Sequence, residues 1–209
     1  MGSMLFWVGA LVVVSLLSPL LRIVIAAVAG KQIGAAALAK QPDKIRLQRG
    51  GPTTWKNGGT PRKTVAALTS RGFEDAGVYT IAEMPGMVVQ LLAHPGDGFY
   101  TAVYEHPQAG SWFDLISRFQ DGTSVTYSTS RATALKPRPG HPSINMPGAE
   151  PVAVLDKALT MRPRRPLEAV SAAKAVEVFE RAYAEGIAYR KQVGISTGEV
   201  VKTAARKAA

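Results

Sequence analysis

The sequence predicts an α+β domain carried behind an amino-terminal transmembrane helix. Three observations carry that reading. Residues 4–29 are almost wholly apolar. Two segments near the middle alternate apolar and polar residues around Gly-containing breaks, the pattern of β-hairpins. Helical spacings lie before and after them, so the order is helix, strands, helices. That order predicts a meandering antiparallel sheet of about four to five strands with helices packed on one face.

The apolar start comes first. From Met4 to Leu21 only Ser15, Ser18 and Pro19 interrupt it, and after Arg22 the chain is apolar again to Ala29. As a helix, 26 residues span roughly 39 Å, more than the ~30 Å hydrocarbon core requires. Arg22 is placed to snorkel to the headgroups, and Pro19 to kink the helix. Ala27-Val28-Ala29 matches a small-x-small cleavage site, the mark of a secreted or periplasmic protein. Met1-Gly2-Ser3 carries no basic residue, however, and the apolar core is longer than a signal peptide needs. An uncleaved anchor over residues 1–30 is the favoured expectation.

The charge supports it. The chain of 209 residues carries a formal +10, and eight basic residues between Lys31 and Lys63 face only Asp43. Residues 64–209 are near neutral. The excess belongs to a linker, 31–59, rich in Gly, Pro and Thr. A basic segment directly after an apolar one points to anionic lipid headgroups rather than to nucleic acid, with Lys31, Lys40, Lys44, Arg46 and Arg49 nearest the membrane. The amino-terminal flank has no such residues, so the positive-inside rule puts the domain on the cytoplasmic side of a bacterial-type membrane. Trp55 rests either at the membrane surface or on the domain.

The domain is expected over 60–195. Thr60-Pro61 opens a helix with Thr as cap, Val65 and Leu68 inward, ending near Gly72. "GMVVQLLAHPGDGFYTAVYEHP" is a first hairpin, with Met87, Val89, Leu91 and Ala93 on one face. "SWFDLISRFQDGTSVTYSTS" is a second. A three-residue loop with Gly122 left-handed puts Leu115 opposite Tyr127 and Ser117 opposite Val125. It gathers Phe113, Leu115, Val125 and Tyr127 on one face, and Trp112, Asp114, Arg118, Ser124 and Thr126 on the other. The proline-rich "LKPRPGHPSINMPGAEP" is expected to cross over the sheet as an extended segment. A helix from Pro151 to about Met161 turns Leu155 and Leu159 inward. "RPRRP" breaks it. A longer helix from Ser171 carries Val176, Phe179, Tyr183 and Ile187 at core spacing. Gly194 ends it, and Ser196-x-x-Glu199 is a capping box opening a short basic helix over 196–209.

No catalytic signature appears. Cysteine is absent, which excludes disulfides and thiolate chemistry. His94 and His106 belong to opposite ends of their hairpin, so no metal and no cofactor is implied. The candidate ligand-binding face holds Trp112, Asp114 and Arg118, with Tyr104 and Glu105 expected from the neighbouring strand; the rival is a helix-covered face. The function expected is a membrane-tethered, non-catalytic binding or interaction module. Its alternatives are an enzyme acting on an amphipathic or membrane-derived substrate, and an accessory subunit with a protein partner in the membrane.

Overall fold

The structure, a computed structural model, describes residues 21, 23–51 and 54–208. It divides into two compact units. A helical unit contains the described residues up to Gln41, Thr133–Lys136 and the described residues from Ala188. A sheet unit contains Pro42–Ala132 and Pro137–Ile187.

The sheet unit is built on seven strands in sequential order. They are β1 (Leu47–Arg49), β2 (Glu74–Ile81), β3 (Val88–His94), β4 (Phe99–His106), β5 (Gly110–Arg118), β6 (Ser124–Ser128) and β7 (Ser143–Asn145). All pairings are antiparallel except β6 with β7, which is parallel. The β5–β6 register is the expected one: Leu115 opposes Tyr127 and Ser117 opposes Val125. The Phe119 N–H donates to the Thr123 carbonyl at 2.9 Å. Gly122 has φ of 81°, which only glycine adopts without strain.

Helices cover both faces of the sheet, not one. On one face α2 (Gly59–Thr69) and α3 (Pro151–Met161) pack Leu68, Val154, Leu155 and Ala158 against Leu92, Phe99, Val103, Phe113, Leu115 and Tyr127. On the other, a 3₁₀ turn (Ala172–Lys174) leads into α4 (Ala175–Val193). There Ala175, Val176, Phe179 and Tyr183 meet Tyr79, Ile81, Val89, Leu91 and Ala102. The reason lies in β3. Its VVQLLA run is apolar at both parities, so each face needs a cover.

Several local expectations change. The stretch expected as linker enters the fold: β1 pairs with β2, and Ile45 and Trp55 are buried. Backbone pairing, not composition, makes Leu47–Arg49 a strand. Trp55 therefore sits on the domain, in the core of the α2–α3 face. α2 starts at Gly59 with Gly58 as its cap residue, not Thr60. Pro61 is tolerated there because the first N–H groups of a helix have no intrahelical partner. The proline-rich segment does not lie over the sheet; it supplies the edge strand β7. An edge position suits it, since Pro142 needs only to accept, from the Thr126 N–H at 3.0 Å. In α3 Leu155 is buried but Leu159 is exposed, and Val154 and Ala158 complete the inward stripe.

The helical unit contains α1 (residues 23–39) and α5 (Thr197–Ala208). The predicted capping box forms: Ser196 N–H and Oγ donate to the Glu199 carboxylate at 2.9 and 2.7 Å. Residues 4–20 of the expected span, and Arg22, lie outside the described residues. Among the described residues no helix is long and apolar enough to cross a membrane, so the transmembrane helix finds no support there. Within 23–29, expected as its last third, Ala26 is instead buried.

Candidate functional site

The sheet unit brings four of the five predicted site residues to one face. Tyr104 on β4 is paired with Trp112 on β5, and their rings stack with centroids 4.8 Å apart at 18°. Phe179 of α4 lies 6.2 Å from Tyr104, so part of this face is helix-covered. Asp114 opposes Ser128 on β6. Burial pushes its carboxyl up to about 6, while bonds from the Ser128 and Tyr104 side chains pull the other way. The Asp114 Oδ1 is buried without a hydrogen-bond partner. Burial, and then the Asp114 charge, raise the Tyr104 phenol well above its usual range.

Arg118 does not pair with Asp114. It is 6% exposed and lies between Glu168 at 3.0 Å and Glu185 at 3.2 Å. Burial opposes its charge, and the two carboxylates more than restore it. Arg138 reaches Glu185 at 3.4 Å, and Arg181 pairs with Glu168. This is an internal ionic network tying α4 and the segment before it to the sheet.

Glu105 corrects the expectation. It points to the opposite face, where its carboxylate accepts the Lys56 and Asn57 N–H groups at 2.8 and 2.6 Å. Period-two geometry dictates this, because Tyr104 and Glu105 are neighbours on one strand. Of the five predicted headgroup contacts, Lys31 and Lys40 belong to the helical unit, and Lys44, Arg46 and Arg49 to the sheet unit. All five are exposed, and Arg46 is paired with Glu83 at 3.0 Å.

A cleft that sequence reasoning missed lies beside β1 and α2. It has a volume of about 720 Å³, within the range of small-ligand pockets. Trp55, Val65 and Ala66 give it apolar walls, and Arg49, Arg62 and Gln90 line it as well. Arg49 is exposed and makes no ion pair among the described residues. Gln90, 7% exposed, donates to Asp75 Oδ2 at 3.0 Å, and Asp75 Oδ1 accepts the Gly77 N–H at 2.8 Å. Both carboxylate oxygens are thus engaged within the wall. Gly77 sits at the β2 bulge with φ of 115°, where a Cβ would come within 3.2 Å of the Tyr79 hydroxyl. A cation beside an indole over an apolar wall suits a small organic anion with a flat or apolar body. The one signal in the sequence was a tryptophan and an arginine within a Gly-rich stretch.

Among the described residues no cluster of three metal-ligating side chains occurs. No family model, curated protein or solved structure matches this chain.

Proposed function

We propose that the protein is a membrane-tethered, non-catalytic binding module, held on the cytoplasmic side by its apolar amino-terminal stretch, with the Trp55 cleft as its ligand site. The observation that carries the binding reading is the contrast in how charged groups are used. Arg118 and its carboxylates are bonded to one another, and Glu105 holds backbone, whereas Arg49 faces the cleft without an ion-pair partner among the described residues. The tether reading rests on residues 4–21 and the basic residues that follow.

A thermal-shift screen of small carboxylates and phosphate esters on the full chain tests the cleft. Hits should disappear in Arg49→Ala and in the cleft-filling Ala66→Trp. Hits that persist in both variants place the ligand elsewhere. An enzyme remains the second reading because of Asp114, a carboxyl raised toward neutrality beside a tyrosine, a feature of acid–base sites. Turnover of a hit that is lost in Asp114→Asn would favour it.

A further inference from the structure

A buried amide at the foot of the Trp55 cleft narrows what the cleft can hold. Gln90 is the one polar residue between Val88 and Ala93. It is 7% exposed, shares a strand face with Val88 and Leu92, and lines the cleft. A polar side chain is costly in such a place unless it is bonded.

The bond comes from an irregularity in the next strand. Val78 of β2 opposes Gln90 and Asp75 opposes Leu92, with a register shift between Asp75 and Gly77. Residues three apart on a regular strand point to opposite faces. The bulge adds one residue, so Asp75 and Val78 fall on the same face, that of Gln90 and Leu92. Gly77 sits in the bulge with φ of 115°, a conformation open to glycine. Its N–H donates to Asp75 Oδ1 at 2.8 Å and fixes the carboxylate, whose Oδ2 accepts from Gln90 Nε2 at 3.0 Å.

This contact settles which way round the amide lies. A carboxylate accepts and an amide NH2 donates, so Nε2 faces Asp75 and Oε1 is turned away from it. Oε1 makes no hydrogen bond to any described residue. Nor is it one of the side-chain atoms buried without a partner, which are Thr101 Oγ1, Asp114 Oδ1 and the Tyr127 hydroxyl. It is an acceptor open to one side, and the open space beside Gln90 is the cleft.

We propose that Gln90 selects the ligand of the Trp55 cleft, and that the ligand is a flat heteroaromatic acid carrying a ring N–H. The acid group lies at Arg49, the ring against Trp55, and the N–H donates to Gln90 Oε1. This inference rests on the binding reading of the cleft and narrows it from small organic anions in general. A ligand without the donor covers Oε1 and leaves it unpaired. A site that must bury an unpaired acceptor discriminates more strongly than one that only fits a shape. Asp75 is a positioning residue, acting through Gln90 by holding its amide one way round.

The test compares two acids of equal charge and similar ring size. Indole-3-acetate has the ring N–H, and 1-naphthaleneacetate lacks it. Titration calorimetry on the full chain should show indole-3-acetate binding roughly tenfold more tightly, the effect of one buried acceptor left unpaired. Gln90→Met keeps the volume and removes the acceptor, so the two affinities should converge. Asp75→Asn should narrow the gap as well, because an asparagine can donate to Oε1 and let the amide turn its NH2 to the cleft. General damage to the fold lowers both affinities and leaves their ratio, so the ratio reads the amide. A preference that survives Gln90→Met overturns the inference. If both acids bind the natural protein equally and both are lost in Ala66→Trp, the inference fails and the cleft stands. If neither acid binds, the inference fails, and the screen of carboxylates and phosphate esters decides whether the cleft reading falls with it.

Discussion

The two faces of the sheet are closed by different means. Beneath α2 and α3 the contacts are side-chain shape and area: Leu92, Phe99, Val103, Phe113 and Leu115 against Leu68, Val154 and Leu155. Beneath α4 the β1–β3 side is apolar, but across β5 and β6 the face carries Asp114, Arg118, Ser124 and Ser128. There the cover is held by ion pairs from Glu168 and Glu185. An apolar face tolerates any filling of the right volume. A polar one works only with particular partners, and removing one member leaves the others buried and uncompensated.

The largest effect that separates the faces should come from Leu115→Ala. Leu115 is fully buried, and truncation leaves a cavity as well as losing transfer energy, so destabilisation of about 3 kcal/mol is expected. Chemical denaturation reads it directly. A loss under ~1 kcal/mol would mean that this face is loosely packed. Arg118→Ala tests the other face. Glu168 and Glu185 would then face each other without their shared cation, while both keep partial access to water, 29 and 31%. A loss of about 2 kcal/mol is expected, and salt should restore part of it, which it cannot do for Leu115→Ala.

How much of this was legible follows from the same contrast. The β5–β6 register could be read because only one pairing segregates Phe113, Leu115, Val125 and Tyr127 from Asp114 and Arg118. α4 was legible as an amphipathic helix through Val176, Phe179 and Tyr183. Which face it covers was not, although the doubly apolar β3 pointed to two covers. Residues 45–58 were opaque for a physical reason. β1 is three residues long, and what fixes it and its neighbours comes from afar: Glu180 accepts the Leu47 N–H, and Glu105 accepts those of Lys56 and Asn57. The ionic partners of Arg118 were equally out of reach, because Glu168 and Glu185 lie 50 and 67 residues away. Composition sees neither, and the cleft was hidden with them because Arg49 and Trp55 belong to that stretch.

The smallest effect separates the faces by pH. Asp114 has a folded pKa raised from 3.8 to about 6, chiefly by burial. A group with a raised folded pKa contributes stability that is full below its unfolded value and is lost as pH rises through its folded value. Asp114 therefore weakens the fold between about pH 4 and pH 6. Glu199 has the opposite sign: its carboxyl is held at about 2, with burial opposing and with bonds from Lys136, Ser196 and Arg190 prevailing, so it stabilises above about pH 4.5 and that contribution fades on acidification. Asp114→Asn keeps an oxygen to accept from Ser128 and Tyr104 and removes the charge. At pH 8 the variant should be more stable than the natural protein by about 1–2 kcal/mol, after allowing for a weaker hydrogen bond to a neutral acceptor. At pH 4 the difference should vanish. Unfolding free energies at pH 4, 6 and 8 decide it. A constant deficit at all three would mean that the charged carboxylate is welcome on this face, and that Tyr104 and Ser128 hold it as firmly as Glu168 and Glu185 hold Arg118.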